Sequence, residues 1–266
     1  MWTIKKLKNY AKYFLLKNYW TAFFAVLITM ILTGGISSSL GSNFNVAGTF
    51  NTAPDNYEEV IFEEDQNLTA ETEESTSLFA EDSTIGKVIL TLGIGGFIIV
   101  LLLIVALIVM VGFVVEVGQS KFFLDGFEGD VDVKNILSGF NSEEYKPIIK
   151  TQLRTSIQLF LWTLLFIIPG IIKAYSYRYV PYVLAENPTL TSKEAIAESV
   201  ALTYGHKWDI FILDLSFILW DMLALFTFGI SNLFIAPYKV ATDAVLYKVL
   251  SNPDDLERDL GDSNLN

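Results

Sequence analysis

Five charged residues fall in stretches that are otherwise largely apolar: Arg154, Arg178, Asp214, Asp221 and Lys239. Charge is costly in a hydrocarbon setting, so such groups face protein or water and find partners. Two uses are open to them. They hold helices together as ion pairs, or they line a polar path for ions or a polar substrate. An acid–base dyad is a poor fit. Asp214 and Asp221 stand seven residues apart, one above the other on a helix face and roughly 10 Å distant. Carboxyls so separated cannot share a proton. The single histidine, His206, lies in "GHKW" without an orienting partner beyond Ser199 or Ser216, and with Trp208 it reads as an interfacial residue. "LGIGG" at 92–96 sits inside an apolar run and has no phosphate-binding context. The chain has no cysteine, which rules out disulfides and thiolate metal sites. One histidine rules out multi-histidine metal sites. The expectation is therefore a protein without catalytic, cofactor or metal residues, and not an enzyme.

What must position those charges is a set of long apolar segments. Hydrophobic residues make up 52% of the 266, above the usual share for a soluble domain. Residues 19–43 and 88–115 carry no charge at all. Each exceeds the roughly 20 residues needed to cross a bilayer core of about 30 Å. The net charge of −12 is uneven: 11 of the 30 acidic residues lie in 41–85, which has no Lys, Arg or His. The remainder is nearly balanced, 18 basic against 19 acidic. A basic patch for nucleic acid is missing.

The five lysines Lys5, Lys6, Lys8, Lys12 and Lys17 precede the first apolar run. They mark it as an uncleaved span entering from the cytoplasm. The predicted order is a basic cytoplasmic tail at 1–18, a first span at 19–40, an acidic and largely disordered outer loop at 41–85, and a second span at 86–118. A mixed-charge cytoplasmic segment follows at 119–148. Two hairpins at 149–187 and 208–250 flank a cytoplasmic amphipathic helix at 188–207, and an acidic cytoplasmic tail closes the chain at 251–266. The fold class is all-α, a polytopic helix bundle of about six spans.

The hairpins rest on charge placement. A single kinked span through Pro169-Gly170 would leave Lys173, Arg178, Lys193 and Lys207 outside, against the positive-inside bias. An outer reversal at Pro169-Gly170 returns them to the cytoplasm, with helix four starting at Ile171. The second hairpin turns near Gly229, and Pro237-Tyr238 echoes Pro181-Tyr182 as an internal repeat. Four spans, with Pro169 and Gly229 as kinks, are the alternative. Depth counted from the outer turns puts Asp221 at about 10 Å, Arg178 at about 12 Å and Lys239 at about 14 Å. Asp214, at about 21 Å, then matches Arg154. In the connector, Thr191 and Glu194 have capping-box spacing, and Ile196, Val200 and Tyr204 form its apolar stripe.

The run "IIPGIIKAYSYRYVPYVLAENPTLTSKEAIAES", then "GHKWDIFILDLSFILW", then "APY" at 236–238 resembles the bacterial integral membrane family named domain of unknown function 975. The resemblance covers about 148–250, with a looser fit towards the N-terminus. Matching positions include Pro169, Gly170, Tyr175, Pro181, Tyr182, Ser199, His206, Trp208, Asp214, Pro237 and Tyr238. Leu219 and Asp221 depart from the pattern, so a shared role attaches to Asp214. The resemblance implies a polytopic protein of the bacterial cytoplasmic membrane and no known activity. The expected partner is the lipid bilayer. A small polar or amphiphilic solute is the expected ligand. The alternative is an interaction or regulatory protein whose acidic loop meets cations, cationic peptides or a partner protein.

Overall fold

The computed structural model describes residues 2–33, 84–129, 131–141, 144–227 and 229–252, with side chains from residue 95 onward in the second helix. The acidic loop up to residue 83 and the acidic tail from 253 lie outside them. The described residues are all-helical, without strands. Helix α1 is Ile4–Leu32 and α2 is Thr84–Phe127. A 3-10 helix at Val133–Phe140 leads to α3, Tyr145–Leu165, then α4, Ile167–Tyr177, and α5, Val180–Glu186. Next come α6, Ser192–Thr203, α7, Lys207–Leu215, α8, Ile218–Phe226, and α9, Ile230–Ser251.

The chain divides into two compact units, one of residues 1–49 and 108–266, the other of 50–107. In the second unit, the side chains of Phe97 to Val105 are exposed and wholly apolar apart from backbone. The first unit is a helical bundle. Its core gathers Leu7, Phe14, Phe122, Phe123, Leu184, Leu213 and Leu246. Helix α1 runs beside α9, where Phe23 meets Phe234 with ring centres 5.6 Å apart. Lower on α1, Phe14 packs on Phe127 at 4.6 Å.

Two helices, Ile4–Leu32 and Gly95–Phe127, are long and apolar enough to cross a membrane. Helix α1 starts well before the span expected at 19, and it changes direction at Asn18, whose φ and ψ of −125° and 22° are not helical. The lysine-bearing part is therefore a helix in its own right. Helix α2 continues past the expected end at 118 to Phe127.

The first hairpin turns at Phe166, not at Pro169-Gly170. Phe166 is extended, with φ −152° and ψ 133°, and divides α3 from α4. Pro169 falls in the first turn of α4, where a missing N–H leaves no bond unmade. Gly170 serves close approach rather than a turn: a Cβ there would stand 2.8 Å from the Thr163 Cα on α3. Moving the corner three residues earlier lengthens the returning arm. Helices α4 and α5 together span about 30 Å, which removes the shortness of a helix starting at Ile171. The second hairpin does turn at Gly229, which adopts φ 84°, a left-handed conformation suited to glycine. Its ascending arm is broken at Ser216–Phe217 into α7 and α8, so the two hairpins are not copies.

The capping box of α6 is formed. Glu194 Oε2 accepts from the Thr191 hydroxyl at 2.7 Å and from the Thr191 N–H at 2.9 Å. These bonds hold the Glu194 carboxyl below its usual range. Their contribution is present above the ordinary glutamate pKa and lost as pH falls through the lowered one. The inward face of α6 carries small residues, with Ile196 and Val200 of the apolar stripe partly buried at its edge. Ser192, Ala195, Ser199 and Thr203 are buried, while Tyr204 is 80% exposed. Small residues face inward because α3, α4, α5 and α9 all come close there.

One glycine lets the 3-10 helix pack closely on α2. A Cβ on Gly118 would stand 1.9 Å from the Ile136 carbonyl oxygen, a backbone atom that cannot swing away. Gly118→Ala is expected to cost about 3 kcal/mol. Gly95→Ala, with nothing within 4 Å of its Cβ, is expected to be neutral or to gain up to about 1 kcal/mol. Thermal unfolding of both variants in detergent, followed by tryptophan fluorescence, checks the contrast.

Candidate functional site

The site is built on a helix break. Pro181 lies in the first turn of α5 and has no N–H to offer the preceding helix. The ladder opens at Arg178 and Tyr179, leaving backbone groups to be satisfied. Ser199, fully buried on α6, closes the gap. Its hydroxyl donates to the Ser176 carbonyl at 2.9 Å and accepts from the Tyr179 N–H at 3.2 Å. That stitch holds Arg178 so that its side chain projects between α7 and α9.

There the guanidinium meets two carboxylates. Nη1 donates to Asp214 Oδ2 at 2.7 Å and Nη2 to Asp214 Oδ1 at 2.9 Å, a bidentate fork. Nη2 also donates to Asp243 Oδ1 at 2.7 Å. The Arg178 side chain is 5% exposed, Asp214 16% and Asp243 10%. Two carboxyl groups thus converge on one guanidinium. Tyr175, half-buried on α4, lies within electrostatic reach of Asp214, Arg178 and Asp243. A second pair lies nearby: Lys239, one turn before Asp243 on α9, bonds Asp221 on α8. Phe217, at the α7–α8 break, has the Lys8 ammonium 3.9 Å from its ring centre, and Lys8 donates to the Ser216 carbonyl at 3.2 Å. At this cluster, Arg178 Nε and the Tyr179 hydroxyl are buried without a partner among the described residues, as is Gln158 Oε1 on α3.

These contacts revise the expected pairings. Asp221 is held by Lys239 alone of its two depth-matched candidates. Arg178 goes to Asp214 instead. Arg154, expected opposite Asp214, is exposed on α3. The depth count failed for two physical reasons. The first corner lies three residues earlier, which sinks Arg178 by about 4.5 Å. The break at Ser216–Phe217 also removes the shared helix face of Asp214 and Asp221, so each serves a different cluster. Asp243 escaped notice in the sequence. Its signal was available: an aspartate four residues after Lys239, inside an apolar stretch.

The remaining positions take backbone or surface roles. Pro237 lies inside α9, and the Tyr19 hydroxyl donates at 3.3 Å to the neighbouring Phe234 carbonyl. His206 precedes α7, with Nδ1 3.6 Å from Asp209 Oδ2 and both side chains largely open. Trp208 is 70% exposed and leans on Phe211 with ring centres 5.2 Å apart. Among the described residues, no cluster of acidic, histidine or cysteine side chains could hold a metal ion.

Comparison with known proteins bears on the positions assembled here. The family described as "Protein of unknown function (DUF975)" matches residues 1–253. The chain belongs to this family. The DUF975 match runs well beyond 148–250, the stretch carrying the resemblance, and takes in α1 and α2 as well as the Arg178 cluster. No curated protein and no solved structure matches the chain.

The cluster generates a coupling test. Arg178→Gln is expected to lose about 3 kcal/mol, because Asp214 and Asp243 remain buried without a counter-charge. Combined with Asp214→Asn, the loss is expected to fall short of the sum by about 1–3 kcal/mol. Combined with Asp221→Asn, losses are expected to add within about 0.5 kcal/mol. Unfolding midpoints of the single and double variants in one detergent decide this.

Proposed function

We propose that this chain is a multi-pass protein of the bacterial cytoplasmic membrane, with both termini inside. We further propose that its Arg178–Asp214–Asp243 cluster binds and moves a small polar or amphiphilic solute. Membrane embedding is supported by apolar side chains on the outside of the bundle. Leu164, Ile168, Leu219 and Phe226 are each more than 70% exposed, and such continuous apolar surface calls for lipid or another apolar partner. Six crossings follow if α4 with α5, and α7 with α8, each act as one broken span.

The observation that carries the solute reading is the unbalanced cluster within such a bundle. A purely structural pair needs one carboxylate for one guanidinium. Here Arg178 holds two, and Arg178 Nε is left without a partner among the described residues. Helix breaks at 178–179 and 216–217 flank the cluster. Broken helices are how membrane proteins bring backbone and side-chain polarity to a midplane site.

The absence of native cysteine makes accessibility a clean test. In native membranes, Tyr175→Cys is expected to react with a small cationic methanethiosulfonate, while Leu164→Cys, facing lipid, is expected to resist. Equal resistance at both positions would mean a dry cluster that only braces the helices.

A second reading places function in the acidic loop, on the strength of its 11 carboxylates and lack of basic residues at 41–85. Deletion of 51–83 separates the two. The solute reading expects the deleted chain to fold and to keep the reactivity of Tyr175→Cys. Loss of the cellular phenotype of the intact gene, with folding and reactivity retained, would favour the loop.

A further inference from the structure

The lysine-bearing part of α1 has two faces of opposite character. Leu7, Ala11, Phe14 and Leu15 are buried in the core. The other face presents Lys5, Lys6, Lys12 and Lys17, all exposed, together with Tyr13 at 58% and Leu16 at 76% exposure, and Trp20, just past the kink, is 65% exposed. None of these four lysines pairs with a carboxylate among the described residues. The chain has no acidic residue before Asp55, so α1 supplies none locally. The kink at Asn18 turns this part away from the axis of the apolar part that follows. Positive charges interleaved with exposed aromatic and aliphatic side chains are what an interfacial helix carries. A helix facing only water would not keep Leu16 and Trp20 in the open beside its lysines.

We infer that this face is a docking surface for anionic phospholipid. The four ammonium groups meet headgroup phosphates of the cytoplasmic leaflet, and Tyr13, Leu16 and Trp20 sit at the headgroup–acyl boundary. The inference rests on the membrane reading above and adds to it a headgroup preference seated on one helix face. Charge complementarity selects the occupant: a lysine near an anionic bilayer surface gains about 1 kcal/mol, roughly fivefold in affinity. A zwitterionic headgroup offers no such net attraction. The aromatic and aliphatic residues between the lysines favour a lipid surface over an acidic protein, which would need only the charges.

The test uses the full chain in nanodiscs. Asn9, exposed on the same face, is changed to cysteine and given a fluorescent donor. Acceptor-labelled phosphatidylglycerol or phosphatidylcholine is added at equal mole fraction to a phosphatidylcholine background. Energy transfer is expected to be stronger to phosphatidylglycerol, to level out at high salt, and to level out in the variant carrying Lys5→Gln, Lys6→Gln, Lys12→Gln and Lys17→Gln. Equal transfer to both lipids in the parent protein would overturn the inference, as would a preference that survives in the variant. A soluble poly-glutamate peptide that binds the parent while neither lipid is preferred would assign the face to acidic protein instead. Carbonate extraction of the parent from native membranes keeps the two proposals apart. Release from the bilayer would sink the membrane reading itself, whereas retention without headgroup preference would sink only this inference.

Discussion

A guanidinium inside an apolar bundle needs counter-charge, and Arg178 organises the helices around it to that end. Its fork takes both oxygens of Asp214 from α7, and its remaining reach goes to Asp243 on α9. Lysine could supply the charge but not the planar fork. The geometry depends on the break before α5, which depends on Pro181 and on the Ser199 hydroxyl from α6. Three separate chain segments thus converge because one side chain cannot be left unpaired.

Around this polar centre the packing is graded by size. Helix α6 turns Ser192, Ala195, Ser199 and Thr203 inward, so that neighbouring helices approach closely and hydroxyls can reach backbone. Thr151 on α3 donates to Ser192 at 2.9 Å within that contact. Larger rings gather where space opens: Tyr179, Tyr182 and Tyr247 lie within 5.8 Å of one another, and the Tyr247 hydroxyl donates to Glu186 at 2.8 Å. The outside of the bundle is apolar as well, with Leu164, Ile168, Leu219 and Phe226 exposed. In the proposed membrane setting such an apolar exterior is what the lipid selects.

Periodicity and composition made the class legible, because helices with uncharged runs leave few alternatives. Family membership was legible from a few ordered stretches between Pro169 and Tyr238. The position of a turn was not. Pro169-Gly170 looks like a reversal, yet the chain reverses at Phe166, since proline fits a first helical turn and glycine was needed against Thr163. Gly229 carries the same residue type and does turn, with φ 84°. The difference lies in tertiary contact, which a local motif does not encode. The same holds for partners. Depth counting matched Asp221 with Lys239, a pair that forms, but the earlier corner at Phe166 and the break at Ser216–Phe217 sent Arg178 to Asp214 instead. Asp243, four residues after Lys239 on α9, likewise takes its counter-charge from the other hairpin.

The account turns on Arg178 being locked between Asp214 and Asp243 while the chain sits in a bilayer. Solid-state NMR on the full chain in lipid, with ¹⁵N in arginine guanidinium groups and ¹³C in aspartate carboxyls, measures that contact through dipolar dephasing. Arg178 is expected to show strong dephasing that weakens in Asp214→Asn and again when Asp243→Asn is added. An Arg178 signal without carboxylate dephasing in the parent chain would contradict the account.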